Sequence, residues 1–378
     1  MPHWLVHPVS LNGFAEMDST STFHAAQSTT ETHRESRPRE SKGTESNGTA
    51  TSGGLADHFA QLYGPIAAEL LRVEKRFHQE LQSPYESLVP VLRHGTQLGG
   101  KRLRPAMLLL TASAVGSIRE DHLVLGVVIE MVHTATLIHD DVLDDADTRR
   151  HVPTVNAKWN NHTSILLGDY LFAQSFRLAA TLPSTEACRW IGEAARLVCE
   201  GEMRQVLKRD VLDIDETTYI EMIQGKTAEL CRVACQLGSH FADGSPEVTA
   251  SLAEYGDSLG IAFQIADDYL DLWGSDERVG KTLGTDLQQG KITLPIIRLL
   301  QTADEARRNQ ILQLLAEPSR RRTETIMPWL DQSDAREYTR ETALQYQRKA
   351  IAALGVLAES PAKASLKAIA EFAVNRRF

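Results

Sequence analysis

The chain has few aromatic residues and few cysteines. These shortages limit the secondary structure and the cysteine sites that it can form. Phenylalanine, tyrosine and tryptophan make up only 6% of its 378 residues, whereas alanine and leucine are abundant, which favours helices over sheet. The four cysteines form no CxxC pair and have no nearby histidine, so we expect inert thiols in a reducing compartment rather than zinc ligands or disulfides. They are Cys188, Cys199, Cys231 and Cys235.

Positive charge and long apolar runs are also in short supply. Lysine and arginine number 40 against 50 aspartates and glutamates, a formal net charge of −10. This balance argues against nucleic acid as a partner, because phosphate backbones bind basic surfaces. No apolar run reaches the roughly 18 residues that a membrane helix needs. The sequence therefore predicts a cytoplasmic protein without a transmembrane segment.

The chain divides into two parts by composition. Residues 1–55 are rich in serine, threonine, glutamate and glycine without a sustained period, so we expect a disordered, low-complexity N-terminal extension. Its acidic residues fit poorly with a transit peptide, and a true start at Met17 is an alternative. From Leu55 onward apolar residues have helical spacing, and residues 56–378 are predicted to form one all-α domain. Long helices are expected at about 121–145, 161–182, 186–208 and 215–240.

Two apolar helical segments each end in the acidic pattern Asp-Asp-x-x-Asp. Carboxylates four residues apart lie on one face of a helix, where like charges repel unless cations neutralise them. Oxygen ligands without histidine or cysteine suit Mg²⁺, with Mn²⁺ as an alternative. One such cluster could be a solvated helix end, but its repetition favours a metal site. The predicted ligands are Asp140, Asp141 and Asp144 in the first motif and Asp267, Asp268 and Asp271 in the second.

A glycine-rich basic segment, Gly99-Gly100-Lys101-Arg102-Leu103-Arg104-Pro105, precedes the first motif. It nearly matches a nucleotide P-loop, but Arg102 stands where serine or threonine should hold Mg²⁺ and no strand precedes it, so we reject an NTPase. The glycines instead allow Lys101, Arg102 and Arg104 to converge on an anion.

The basic residues form two sets that suit two diphosphate groups. One set can neutralise a diphosphate already bound to metal, and the other can hold a second diphosphate without metal. Because no serine or cysteine nucleophile with a histidine base is evident, we expect catalysis by ionic stabilisation of a departing diphosphate. The first set is Lys226, Lys281 and Arg149, and the second is Lys101, Arg104 and Arg150.

These motifs, in this order, resemble those of the trans-isoprenyl diphosphate synthase family, specifically its medium- and long-chain all-trans polyprenyl diphosphate synthases. The resemblance implies a single large helical bundle around a central cavity, with both acidic helices at its mouth, and a homodimer. It covers the chain from about residue 60 to residue 378. Besides segment 99–105 and the two aspartate motifs, it rests on Arg149-Arg150, Lys226-Thr227, Phe263-Gln264, Lys281 and Lys291.

The resemblance also implies a reaction. The allylic C–O bond ionises, the double bond of isopentenyl diphosphate attacks the cation, and the released pyrophosphate takes the proton. About three Mg²⁺ ions are expected to hold the allylic diphosphate. Their ligands would be Asp140, Asp144 and Asp267, assisted by Arg149 and Thr227 and by the catalytic residues Lys226, Gln264 and Lys281. Isopentenyl diphosphate would bind Lys101, Arg104, His133 and Arg150, and Lys291 is a further substrate-binding residue.

Product length should depend on the helix that precedes Asp140. Bulky residues four or five positions before the first aspartate stop growth early in this family, and this chain has none there, as in long-chain members. About 18 helical residues provide about 27 Å, or about six isoprene units, which predicts a product of about C30 to C50. This would be a quinone side-chain precursor delivered to a membrane, with Phe172 and Phe176 as a possible deeper floor. The predicted chain-length residues are Thr136, Ala135, Val132 and Ile129.

One position departs from the family pattern, and other functions stay open. His151 stands where the family commonly has glycine after the paired arginines, which can alter the loop. A short-chain farnesyl or geranylgeranyl diphosphate synthase and a non-catalytic subunit of a heteromeric synthase are the alternatives. A terpene cyclase is disfavoured by the second aspartate motif and by Lys101 and Arg104.

Overall fold

Helices dominate the computed structural model, which describes residues 62–97, 100–150, 152–274, 283–316 and 322–374. The predicted extension over residues 1–55 lies outside the described residues, as do Lys281 and His151. In chain order the helices are α1 (Ala67–Glu80), α2 (Val89–Gln97), α3 (Leu103–Val115), α4 (Glu120–Leu143), α5 (Val155–Lys158), α6 (Asn161–Ala179), α7 (Thr185–Leu207), α8 (Glu216–Ile223), α9 (Glu229–His240), α10 (Pro246–Trp273), α11 (Thr285–Gln288), α12 (Leu294–Thr302), α13 (Glu305–Ala316), α14 (Arg322–Asp331), α15 (Ala335–Ala353) and α16 (Pro361–Val374). Short 3₁₀ turns occupy Gly64–Ile66 and Leu354–Val356, and a π-turn occupies Gln224–Ala228.

Several helices begin at residues whose side chains accept a hydrogen bond from an otherwise free backbone N–H. Asn160, Ser184, Asp215 and Ser245 do so at the starts of α6, α7, α8 and α10. Pro246 follows in α10, at a position where its missing N–H removes no intrahelical bond. These caps explain why the long helices start where they do.

Helix α4 runs through the larger of two apolar cores and packs against α1, α3 and α6. At 24 residues it is long and apolar enough to span a membrane by length and composition, so the prediction that no apolar run reaches this length is wrong. However, 78% of its qualifying window is buried inside the protein, as expected of a central core helix.

Helix α10 packs against α9 and α15 and takes part in both apolar cores. Leu252, Tyr255 and Leu259 in its first half belong to the larger core, and Ile261 and Ile265 belong to the smaller one. The smaller core also contains side chains of α8 and of helices α12 to α15. The second acidic motif is thereby held at the end of a rigid, buried helix.

A short β-hairpin, which the sequence did not predict, follows the first acidic motif. Thr148–Arg149 pairs antiparallel with Val152–Pro153, and Arg149 lies opposite Val152. Arg150 follows the first strand and has a left-handed φ of 53°. Two-residue strands contain no alternating pattern, so hydrophobic periodicity could not reveal them. The hairpin holds the paired arginines beside the end of α4.

Candidate active site

The first acidic motif lies at the C-terminal end of α4. Asp140 and Asp144 stand one turn apart, with 20% and 22% of their side chains exposed. Asp141 is only 1% exposed and accepts a hydrogen bond of 2.9 Å from Arg149 Nε, while Arg149 Nη2 lies 2.8 Å from the same oxygen. Asp141, predicted as a metal ligand, therefore lies in a buried ion pair, whereas Asp140 and Asp144 are partly exposed.

The second acidic motif also divides into buried and open carboxylates. Asp268 is 4% exposed and accepts hydrogen bonds from Tyr219 Oη at 2.6 Å and from Gln264 Nε2 at 2.8 Å. Burial, and after it the neighbouring Asp286, raise the pKa of Asp268 well above its ordinary value. Asp267 is only partly buried. The buried carboxylate of Asp268 therefore holds Gln264 in place.

Asp271, the last aspartate of the second motif, anchors the chain that follows. One oxygen accepts hydrogen bonds from the backbone N–H and the hydroxyl of Thr285, at 3.1 and 2.9 Å. The other accepts from the backbone N–H of Asp286 at 3.2 Å. Both oxygens of this predicted metal ligand therefore hold the start of α11, which brings Asp286 beside the motif.

The π-turn connects the two acidic motifs. Lys226 Nζ lies 2.6 Å from Glu202 and 3.9 Å from Asp140 of the first motif. The next residue, Thr227, donates its hydroxyl hydrogen to Gln264 Oε1 at 2.8 Å, and Gln264 in turn binds the second motif. Through these two residues the π-turn contacts both motifs.

Lys291 makes a second connection. Its ammonium lies 3.3 Å from Asp144 and 3.8 Å from Asp286, and 10% of the side chain is exposed. Arg209, from the segment after α7, lies 2.8 Å from the other oxygen of Asp144. Both charged oxygens of Asp144 thus have a cationic neighbour, and Lys291 joins the first motif to the loop beside the second.

A cavity of about 100 Å³ lies on the α10 side of this arrangement. Polar side chains from both halves of the site line it together with an apolar wall from α8. The polar lining residues are Lys226, Gln264, Asp268, Asp286, Lys291, Gln205, Lys208, Tyr219 and Thr293.

Two glycines allow α7 and the π-turn to touch. A Cβ on Gly201 would lie 2.6 Å from the backbone nitrogen of Lys226, and a Cβ on Gly225 would lie 3.1 Å from the backbone oxygen of Leu197. Side chains at these positions would push the backbones apart. The close approach brings Glu202 within reach of the Lys226 ammonium.

Burial and neighbouring charges change the pKa values of Asp140 and Lys226. Burial raises the pKa of Asp140 to about 6; Lys226 opposes this rise, and Glu202 and Asp144 add to it. Burial also disfavours the charged form of Lys226, but Asp140 and Glu202 outweigh it and raise the pKa of Lys226. Further positive charge beside these carboxylates would stabilise their ionised forms.

The predicted metal-free anion site lies further back along α4. Arg104 Nη1 lies 3.1 Å from His133 Nε2, and burial, with Arg104 and Arg150 after it, holds the pKa of His133 well below its usual range. The lowered pKa favours the neutral imidazole, whose Nε2 accepts from Arg104 because a guanidinium only donates. Arg104 Nε is buried without a hydrogen-bond partner among the described residues, as expected of a donor awaiting an anion.

Arg150 approaches the same region from the hairpin. Its guanidinium lies so close to Gly100 that a Cβ there would be 2.7 Å from Nη1. Burial, then Arg149 and the other arginines, lower the pKa of Arg150. Lys101, beside Gly100, is exposed, with its ammonium 5.6 Å from the ring centre of Phe372. Glycine at position 100 is what allows the arginine to reach this place.

The predicted chain-length residues lie on α4 on both sides of His133, all before the first aspartates. Ile129, Val132 and Ala135 have no exposed surface and belong to the larger apolar core. Thr136 is partly buried and donates its hydroxyl hydrogen to the backbone oxygen of His133 at 2.8 Å. None of the four lines the described cavity, so their role in product length stays a prediction.

The carboxylates of Asp140, Asp144 and Asp267 suit a hard divalent cation. They are oxygen donors on facing elements, and Mg²⁺ typically binds one or two carboxylates together with substrate phosphates. Within the described ranges, no group of three or more histidine, cysteine, aspartate or glutamate side chains could hold a metal alone.

Sequence reasoning missed several residues of the site. Glu202, Arg209 and Asp286 stand beside the predicted lysines and aspartates, and Tyr219 holds Asp268. A single charge on an amphipathic helix is usually solvated, so Glu202 carried no signal of its own. Asp286 lies within the glycine-rich loop before Lys291, and that proximity was the available clue.

None of the four cysteines is in a disulfide. Cys231 and Cys235 are buried, Cys188 is intermediate, Cys199 is exposed, and all four are free. This agrees with the absence of a disulfide framework.

A family model described as polyprenyl synthetase matches residues 85–328. The chain is 35% identical over 295 residues to a short chain isoprenyl diphosphate synthase from Methanothermobacter thermautotrophicus, covering 77% of this chain and 91% of the relative. It is 37% identical over 279 residues to the octaprenyl diphosphate synthase of Escherichia coli, covering 74% of this chain and 86% of the relative.

The fold is similar to that of a solved polyprenyl synthase. The enzyme from Caulobacter crescentus, complexed with calcium and isoprenyl diphosphate, superposes with a TM-score of 0.79 at 32% sequence identity. The match covers 85% of this chain and 98% of that one. The helical architecture thus has a counterpart in a solved polyprenyl synthase.

Proposed function

The chain belongs to the polyprenyl synthetase family and is a prenyl-transferring diphosphate synthase, and we propose that it adds isopentenyl diphosphate repeatedly to an allylic diphosphate. The observation that carries this proposal is the connection of both acidic motifs to one site. Lys226 pairs with Asp140 while its neighbour Thr227 binds Gln264, and Lys291 pairs with both Asp144 and Asp286.

The two substrates bind at different distances along α4. Asp140 marks the allylic diphosphate, and His133 with Arg104 marks isopentenyl diphosphate. Seven residues of helix separate the two positions, or about 10 Å. This spacing suits two diphosphates whose reacting carbon atoms meet between them.

Asp140, Asp144 and Asp267 would hold Mg²⁺, which when bound neutralises the diphosphate as it leaves. Lys226, beside Asp140, donates to an oxygen of that diphosphate and so favours its departure. Gln264 is fixed by Thr227 and Asp268 and orients the same group. Lys281, from the glycine-rich loop, is a further proposed donor.

At the second site, the neutral imidazole of His133 orients Arg104 towards isopentenyl diphosphate. Arg150 and Lys101 supply additional charge, and the two arginines offer forked donors that match a diphosphate. The proton lost after condensation passes to the pyrophosphate released in the same cycle. The buried walls around α4 keep water from the allylic cation.

We assign the product to the all-trans class of about C30 to C50, from the length of α4 ahead of Asp140. Small and aliphatic residues at 129, 132, 135 and 136 support this length. A short-chain product is the alternative, and relatives named for both classes are similarly identical to this chain. The long product suits a quinone side chain and would pass to a membrane.

We further propose a homodimer. Ile165, Leu166 and Phe176 on α6 expose 44%, 67% and 39% of their surfaces, an apolar face on an otherwise well-packed helix. Light scattering should give twice the mass of one chain, and Leu166→Glu should give the single mass. A wild-type chain that is monomeric and inactive alone would instead favour a subunit of a heteromeric synthase.

The experiment that tests the function is product analysis. Purified chain is incubated with radiolabelled isopentenyl diphosphate, an allylic starter and Mg²⁺, and the dephosphorylated products are separated by length. Products above C20 support the full proposal. A limit of C15 or C20 would support the short-chain alternative, and no condensation at all would contradict the function.

A further inference from the structure

The proposed reaction assigns a role to Lys101 and Arg104 of segment 99–105 but none to Arg102. Its guanidinium is enclosed: the side chain is 13% exposed and lies between α1 and α4. Nε and Nη2 donate to the two oxygens of Glu74 at 2.6 and 2.8 Å. Nη1 donates to Glu130 at 2.5 Å, and the planar group lies 5.0 Å from the ring centre of Phe77. Its donors therefore face carboxylates of this chain.

The backbone at Arg102 is unusual as well. Arg102 is the residue before α3 and has a left-handed φ of 53°, a region that favours glycine. A non-glycine residue persists there only when its surroundings hold it. The bonds to Glu74 and Glu130 are such surroundings, because they fix the far end of the same side chain.

The partners of Arg102 and Arg104 lie in matching order on α4. Arg102 binds Glu130, and Arg104, two residues later, binds His133, one helical turn later. Glu130 is 2% exposed, so it is a fixed point of the core. The start of α3 is thus attached to α4 twice, once through each arginine.

We propose that Arg102 is a positioning residue and not a diphosphate ligand. Clamped by Glu130 and Glu74, it sets the backbone at the start of α3 so that Arg104 points to the anion site beside His133. This corrects the prediction that Lys101, Arg102 and Arg104 all converge on the anion. The inference rests on the proposed function, because it assigns that anion site to isopentenyl diphosphate.

The test compares the KM values of the two substrates in variants of the clamp. Glu130→Ala should raise the KM for isopentenyl diphosphate about tenfold or more and leave the KM for the allylic substrate within about twofold. Glu130→Gln should recover most of the loss, because its amide oxygen still accepts from Arg102. Glu80→Ala is the matched control, since it removes a part-buried α1 carboxylate that pairs with Arg177 instead.

Arg102→Lys separates positioning from direct binding. Lysine keeps the charge but lacks the planar fork that donates twice to Glu74 and once to Glu130, so positioning predicts the same rise in KM as Glu130→Ala. In a double-mutant cycle, Arg102→Ala and Glu130→Ala together should cost no more than either alone. Arg102→Lys with the wild-type KM, or a Glu130→Ala effect equal for both substrates, would overturn the clamp.

Arg104→Ala keeps the two proposals apart. If it leaves the KM for isopentenyl diphosphate unchanged, the substrate assignment fails, and the clamp proposal that depends on it fails too. If it raises that KM while Glu130→Ala and Arg102→Lys do not, only the clamp is wrong. Should Glu130→Ala not fold, Arg102→Lys gives the decision alone, because it retains a cation beside Glu74 and Glu130.

Discussion

At the scale of single residues, the six aspartates of the two motifs have different tasks. Asp141, Asp268 and Asp271 are held by Arg149, by Tyr219 with Gln264, and by the start of α11. These three carboxylates hold Arg149, Gln264 and the start of α11 beside the site. Asp140, Asp144 and Asp267 are the proposed metal ligands; Lys226 lies near Asp140, and Arg209 and Lys291 lie beside Asp144.

Asp140→Asn should therefore lower kcat by about 100-fold or more, because it removes a charge that binds both metal and Lys226. Steady-state kinetics at saturating Mg²⁺ measures the change. Asp145→Asn is the control, since Asp145 is an exposed neighbour whose left-handed φ of 49° asparagine tolerates. Equal effects of the two substitutions would contradict the division of tasks.

Among the site residues that the sequence did not predict, Glu202 has the clearest expected effect on kcat. Its carboxylate lies 2.6 Å from Lys226 Nζ and fixes that ammonium near Asp140. Glu202→Ala should lower kcat about tenfold while Glu202→Gln, which keeps an acceptor, should lower it less. Glu200→Ala, on the exposed side of α7 beside Arg196, should change neither kcat nor KM. A Glu202→Ala variant with wild-type kcat would remove this residue from the site.

The residue types and spacing of the aspartate motifs could be predicted from the sequence, but not which oxygen atoms are already occupied. Asp140 and Asp141 are adjacent, yet one faces the site and the other a buried arginine. That difference depends on the hairpin that returns Arg149 to α4, a contact made by tertiary structure. The same holds for Arg102, whose partners come from two other helices.

At the scale of elements, the site depends on how closely α7, the π-turn and α10 approach. The sequence predicted one helix over 215–240, whereas the chain forms α8, a π-turn and α9. A π-turn keeps the helical hydrophobic period almost unchanged, so periodicity could not reveal it. The boundaries of α6 and α7 were predicted closely, because caps and apolar spacing agree there.

Gly201→Ala tests the approach of α7 to the π-turn. The added Cβ would lie 2.6 Å from the backbone nitrogen of Lys226, so one element must shift. We expect a loss of about 1–3 kcal/mol in the free energy of unfolding, together with a lower kcat as Lys226 moves. Urea denaturation and kinetics measure the two effects. Gly355→Ala, where nothing lies within 4 Å of a Cβ, should show neither.

The role of α4 in setting product length is tested by Ala135→Phe. Ala135 is fully buried on the helix that leads to Asp140, so a phenyl ring there would obstruct chain growth along it. The products should shorten by several isoprene units while condensation continues. Ser113→Phe, on the partly buried part of α3 away from the acidic motifs, is the control. Unchanged product length in Ala135→Phe would place the growing chain elsewhere.

At the scale of the whole molecule, two apolar cores hold two acidic helix ends around one site. The all-α class followed from composition and spacing, because helical periods persist through long segments. The hairpin and the short helix α11 did not, since elements of two to four residues carry too little pattern. The product length and the number of subunits depend on tertiary and quaternary packing, which motif spacing does not encode.

The central claim, that the two aspartate motifs act together on a metal-bound diphosphate, is tested most directly by condensation in the purified chain with and without divalent metal. Product formation from isopentenyl and allylic diphosphates is measured in Mg²⁺, after chelation and after Mg²⁺ is restored, for the wild type and for Asp267→Asn. We predict that chelation abolishes condensation, that Mg²⁺ restores it, and that Asp267→Asn requires a higher Mg²⁺ concentration and remains slow. Condensation that is unaffected by chelation, or an Asp267→Asn variant with the metal dependence and rate of the wild type, would contradict the claim.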